Sequence, residues 1–116
     1  MIYIFDTELI ENKLVCYALK QIYGIGEKRS NFICKKLGFS YNLKVKNLSK
    51  DQITELLKLI DGLNLILASD LKKLKFLSIK NLISIKSYRG FRRNQGLPLR
   101  GQRTHTNAKT ARKKSL

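Results

Sequence analysis

The stretch Ile22-Tyr23-Gly24-Ile25-Gly26, followed by Glu27-Lys28-Arg29-Ser30, organises the reading of the chain. Two glycines around one apolar residue break a helix and permit a tight turn whose backbone can approach another backbone closely. A new helix opens directly after it. The first amides of that helix point outward with the positive end of the dipole, an arrangement that suits phosphate. Lys28 and Arg29 stand in the same first turn and can add charge. The string is not a dinucleotide fingerprint, since Arg29 occupies the third glycine position and no strand precedes it. A plain turn that only packs two helices accounts for the same residues, and both readings stay open here.

Working outward, periodicity and punctuation mark four helices. Roughly residues 12–23 place Leu14, Val15, Ala18, Leu19 and Ile22 on one face, and 27–37 resume with Ile33 and Leu37 inward before Gly38 stops them. Residues 39–48 read as a loop. Ser49-Lys50-Asp51-Gln52 is a capping-box pattern opening a helix to about Leu63, with Ile53, Leu56, Leu57 and Ile60 inward. Ser69-Asp70 can cap a fourth helix to about Ser87, with Leu71, Leu74, Leu77, Leu82 and Ile85 apolar and Lys72, Lys73, Lys80 and Lys86 exposed. No alternating strand pattern of any length is visible. The expected fold is all-α: a helical globular domain over 1–87, containing a helix-hairpin-helix element at about 12–38, then an extended basic tail over 88–116.

Charge divides the chain more sharply than periodicity does. Of 116 residues, 24 are Lys or Arg and 8 are Asp or Glu, a net of +16. Residues 1–70 carry 10 basic and 8 acidic side chains, whereas residues 71–116 carry 14 basic and none acidic. Such a one-sided block usually serves as an arm for nucleic acid or an anionic membrane. From position 89 onward six of nine basic residues are arginine, although only Arg29 precedes them. In a Lys-, Ile- and Asn-rich chain, that switch marks places where a planar bidentate fork is needed.

Two segments of the basic half carry the candidate contacts. Tyr88-Arg89-Gly90-Phe91-Arg92-Arg93-Asn94-Gln95-Gly96 interleaves cations with aromatic and small residues, a composition suited to RNA. Leu97-Pro98-Leu99-Arg100-Gly101-Gln102-Arg103-Thr104-His105-Thr106-Asn107-Ala108-Lys109, with Arg112, Lys113 and Lys114 beyond it, packs donors densely with little bulk and can lie along a groove. Thr104 or Thr106 is placed to cap a last short basic helix. Nothing here supports catalysis. His105 is the single histidine and has no acid within 30 positions, and Cys16 and Cys34 fit no metal or disulfide pattern and read as buried thiols. No catalytic residue, metal site or cofactor is expected. No apolar run is long enough to span a membrane, and the N-terminus shows no secretory signal.

These residues resemble the small-subunit ribosomal protein thirteen family of bacterial and organellar type, over roughly residues 9–110. The carriers are Ile22-Tyr23-Gly24-Ile25-Gly26 with Arg29-Ser30, Leu48-Ser49 with Gln52-Ile53, Tyr88-Arg89-Gly90, Gly96-Leu97-Pro98, and above all Arg100-Gly101-Gln102-Arg103-Thr104-His105-Thr106-Asn107-Ala108. The resemblance implies a helix-two-turns-helix domain, a long helix and a tail threading small-subunit ribosomal RNA. It implies small-subunit ribosomal protein nineteen as a neighbour, large-subunit protein five and large-subunit ribosomal RNA across the subunit bridges, and transfer RNA in the peptidyl site near the C-terminal tail. Asp6 stands where the family usually has glycine, Lys109 where arginine is usual, Ala111 interrupts the usual basic run, and Leu116 ends the chain a few residues earlier than in many relatives. The Lys/Ile/Asn-rich composition and the lack of a presequence favour an organelle-encoded protein of a mitochondrial ribosome over one from the cytoplasm of an AT-rich bacterium. The competing class is a DNA-binding helix-hairpin-helix module of repair or architectural type. A lipid-docking arm would need an insertable aromatic face, and residues 97–116 contain no aromatic.

Overall fold

The computed structural model describes residues 2–114 and is mainly helical. It opens with an antiparallel hairpin, β1 (Ile2–Ile4) and β2 (Thr7–Leu9), in the register Ile2–Leu9, Tyr3–Glu8 and Ile4–Thr7. The helices are α1 (Val15–Leu19), α2 (Glu27–Lys36), α3 (Lys50–Gly62), α4 (Ala68–Ser84), α5 (Tyr88–Asn94) and α6 (Lys109–Lys113). The chain forms two compact units, Met1–Lys72 and Lys73–Leu116, so the division falls within α4.

The expected all-α architecture thus carries one small hairpin that no alternating pattern announced. Each strand is three residues long, too short to display an alternation. Its two-residue turn places Phe5 and Asp6 at φ +48° and +60°. Positive φ at both positions gives the twist that a tight hairpin requires, and Asp tolerates the left-handed region better than most residues. Thr7 supports the turn by donating its hydroxyl to the carbonyls of Ile4 at 2.9 Å and Phe5 at 3.1 Å. Ile4 and Leu9 are thereby buried in the core of the first unit.

That core joins α1, α2 and α3 through Val15, Ala18, Leu19, Ile22, Ile33, Leu56 and Ile60, all expected inward, and Val45 completes it from the supposed loop. Residues 12–14 do not join α1, because the chain there pairs with 43–45 instead. Val15 N–H donates to Leu43 at 2.9 Å, Val45 N–H donates to Lys13 at 3.0 Å, and Leu14 bridges Lys44. This pairing buries Val45 and leads into a 3-10 turn, Val45–Asn47. After Leu19 the chain tightens into turns, with Gln21 bonding Ala18 and Ile22 bonding Leu19, so α1 is shorter than the apolar period suggested.

The glycine turn behaves as its composition demands. Gly24 has φ +107°, and a Cβ there would lie 2.8 Å from Leu67 Cδ2 and 3.2 Å from Leu71 Cδ2. The backbone is close as well, since Ala68 N–H donates to the Tyr23 carbonyl at 2.8 Å. Ser30, fully buried on α2, donates its hydroxyl to the Cys16 carbonyl at 2.5 Å and ties α2 to α1. The α2 helix ends as expected at Gly38, in a Schellman arrangement with Gly38 N–H to Lys35 and Phe39 N–H to Cys34. The capping box is complete: Gln52 N–H donates to Ser49 Oγ at 3.2 Å, and Ser49 N–H donates to Gln52 Oε1 at 3.0 Å. The α4 helix starts one residue before the expected Ser69 cap, at Ala68 with φ +46°. Lys72, Lys73, Lys80 and Lys86 are exposed as expected.

Replacing Gly24 with alanine strains a positive φ and crowds Leu67, and should destabilise the fold by about 2 kcal/mol, read as a lower thermal midpoint. An unchanged midpoint would show that the turn does not need glycine. Cys16 and Cys34 are both buried, reduced thiols. Burial first, and the neighbouring Cys16 thiol second, push the Cys34 thiol from its ordinary 9.0 up to about 12. The neutral thiol is the favoured folded form, so its contribution to stability is full below about pH 9 and is lost as pH rises toward 12. Wild type should therefore lose stability over that window faster than Cys34→Ala, by at most about 1.4 kcal/mol per pH unit in urea melts. Parallel pH curves would contradict the assignment.

Candidate nucleic-acid interface

The second unit holds together through backbone devices. At the end of α4, Lys86 N–H donates to Ile83 at 3.0 Å and Ser87 N–H donates to Leu82 at 3.3 Å, a Schellman pattern with Lys86 in the left-handed position at φ +55°. Ser87 then starts α5. Its hydroxyl accepts from Gly90 N–H at 3.2 Å and donates to the Leu82 carbonyl at 2.9 Å. Gly90 is buried directly on the α4 backbone, where a Cβ would run into the Leu82 carbonyl. The expectation that the chain is extended from residue 88 is corrected over Tyr88–Asn94: Ser87 supplies the cap, and Gly90 is there for close approach rather than for flexibility.

Gly96, at φ +69°, ends α5 in a Schellman motif with Gly96 N–H to Arg93 at 3.2 Å and Leu97 N–H to Arg92 at 3.0 Å. Arg92 turns back on the segment that follows. Its Nε donates to the Pro98 carbonyl at 3.2 Å, and its guanidinium lies 5.9 Å from the Tyr88 ring centroid. Arg93 Nε is buried without a hydrogen-bond partner. Beyond Pro98 the chain is irregular, turning at Gly101, Thr106 and Ala108, all with positive φ. Ala108, not Thr104 or Thr106, stands at the N-cap of α6, and no side chain caps it.

The expected contact residues distribute as follows. Arg100, Gly101, Gln102, Arg103, Thr104, His105, Thr106 and Asn107 form an unbroken exposed run, and Lys109, Arg112, Lys113 and Lys114 on and after α6 are exposed too. Among the described residues, the side chains of Arg100, Gln102, Arg103, His105 and Asn107 have no internal partner. Two grooves run beside α6, one of about 520 Å³ bordered by Gln102, Arg103, Asn107 and Lys109, the other of about 350 Å³ bordered by Arg93, Arg100, Gln102 and Lys114. Tyr88, Arg89, Arg92 and Arg93 lie on α5, and Gly90 serves packing. Gly24, Gly26, Lys28 and Arg29 belong to the first unit. There Arg29 Nη1 donates to the Gly24 carbonyl at 2.7 Å and so braces the turn, while Gly26 caps α2 without any side chain and Lys28 is exposed. Sequence reasoning placed Phe91 in the aromatic-interleaved run but passed over Ile83, whose proximity to it depends on α5 being a helix docked on α4. Among the described residues, no cluster of His, Cys, Asp or Glu could hold a metal ion, and no helix is long and apolar enough to cross a membrane.

A small helical body joined to an acid-free, donor-rich segment defines a class of basic proteins made to sit against a polyanion. Within that class, residues 3–110 match the model of the family described as ribosomal protein S13/S18, and the chain belongs to that family. It is 53% identical over 113 residues to the small ribosomal subunit protein uS13m of Marchantia polymorpha, covering 97% of this chain and 93% of that one. It is 46% identical to uS13m of Daucus carota, with 97% of both chains covered, and 41% identical to uS13m of Schizosaccharomyces pombe, with 97% of this chain and 74% of the relative covered. The chain is thus a small-subunit ribosomal protein of mitochondrial type, a structural component and not an enzyme.

Replacing Ser87 with alanine removes the α5 cap and the bond to Leu82. Amide exchange over residues 88–94 should then lose protection equivalent to about 1 kcal/mol. Unaltered protection would mean that α5 does not depend on its cap.

Proposed function

We propose that this chain binds small-subunit ribosomal RNA in the head of the subunit and stabilises the fold of that RNA by neutralising packed phosphates. The observation that carries the reading is the exposed run Arg100–Asn107 in a unit with no acidic side chain. Each arginine there presents a bidentate fork that phosphate or a base edge can fill, and the interspersed Gln, Thr, His and Asn add donors and acceptors without bulk. Arg89, Arg92, Arg93 and the cations of α6 extend the same surface. The turn at Gly24–Gly26, with Lys28, adds a phosphate contact from the first unit, while Arg29 keeps that turn in shape.

The family resemblance supports further neighbours. Small-subunit protein nineteen lies alongside in the head, large-subunit protein five and large-subunit ribosomal RNA meet the chain at the subunit bridges, and Lys113 and Lys114 lead toward transfer RNA in the peptidyl site. In this reading the near-neutral first unit makes the protein contacts and the second unit makes the RNA contacts.

Binding to a small-subunit RNA fragment should weaken with salt, each neutralised phosphate contributing about 0.7–0.9 to the log–log slope. Arg100→Ala and Arg103→Ala should each cost about 1–3 kcal/mol in filter binding at fixed salt, while Lys72→Ala costs little. Equal small losses at all three positions would point to diffuse attraction. A preference for duplex DNA that survives deletion of residues 97–116 would favour a helix-hairpin-helix DNA module instead.

A further inference from the structure

We infer that the cleft between the end of α4 and α5 receives one unstacked nucleobase, a task separate from the phosphate contacts of the tail; the inference rests on the RNA-binding reading above. Ile83, Lys86, Tyr88, Phe91 and Asn94 line this cleft of about 610 Å³, a size in the usual range of small-ligand sites. Tyr88 and Phe91 are three residues apart on a helix and so share one face. They remain 68% and 59% exposed, and neighbouring Ile85 is 71% exposed. Large apolar side chains grouped in the open mark a contact surface.

The surroundings select the occupant. Lys86, Arg89 and Arg92 flank the aromatic pair, and no acidic side chain follows Asp70. An apolar protein surface laid here would leave these cations without a counter-charge. A nucleotide brings a flat ring for the aromatics and a phosphate for the cations in one unit, and unpaired RNA bases are commonly held by stacking on aromatic side chains. Asn94, which also lines the cleft, offers an amide donor and an acceptor to the edge of the base. The platform is set before binding: the Ser87 cap and the Gly90 approach fix α5 on α4, and the Arg92 side chain, tied to Pro98, lies beside the Tyr88 ring. Little conformational entropy is then lost when a base arrives.

The test compares two RNA hairpins, identical except for a single bulged adenosine, in filter binding to the full chain at one salt concentration. Wild type should prefer the bulged hairpin by on the order of tenfold, the range of one base stacked on aromatic side chains. The double variant Tyr88→Leu with Phe91→Leu keeps apolar bulk and helix propensity, and should lose the preference while retaining salt-dependent affinity for both hairpins. Tyr88→Phe should keep the preference. Arg103→Ala should weaken both hairpins alike. Absence of a preference in wild type, or its survival in the double leucine variant, would overturn the base site and leave the RNA-binding reading standing. Failure of wild type to bind either hairpin would overturn both.

Discussion

Uncompensated positive charge governs the second half of this protein. Thirteen basic side chains lie beyond residue 72 with no acidic one among them, so no side-chain ion pair within that unit can offset their repulsion. Self-repulsion on this scale works against compactness. Two consequences follow. The unit must hold its shape by interactions indifferent to charge, and its free energy falls most when a polyanion supplies the missing counter-charges.

The first consequence is visible in the backbone. Schellman closures at Lys86 and Gly96, the Ser87 cap, and the burial of Gly90 against Leu82 all satisfy or pack main-chain groups. None of them needs a carboxylate. Apolar burial contributes less, since Leu74, Phe76 and Leu77 of α4 are exposed. The first unit is built the other way, around a core from Ile4 to Leu67 with a near balance of charge. The second consequence is the donor-rich run 100–107. Its side chains are held at the surface by glycine and threonine turns, so that guanidinium groups remain available to phosphate.

Much of this was legible in local sequence. Ser49 and Gln52 form the capping box their spacing announced, α2 stops at Gly38, and Gly24 takes a φ of +107° that side chains rarely adopt. The tail donors and the charge boundary at Asp70 could be read directly. Features that depend on partners distant in sequence were hidden. The hairpin has too few residues to show a period, and Val45 is buried by a bridge to residues 13–15 rather than by a helix. The α5 helix looked like extended chain because Gly90, Gly96, Pro98 and Gly101 punctuate the segment and little in it is apolar. Gly90 earns its place only through the Leu82 carbonyl eight residues earlier, and the cleft of Ile83, Tyr88 and Phe91 exists only once that contact forms.

The central claim is that RNA of the small ribosomal subunit supplies the counter-charge this chain lacks. Sedimentation of the tagged protein from a native mitochondrial extract through a sucrose gradient tests it most directly, with the RNA of its peak sequenced. The tagged protein should migrate with the small subunit and its ribosomal RNA, and high salt or ribonuclease should release it. Migration as free protein, or with DNA, would contradict the claim.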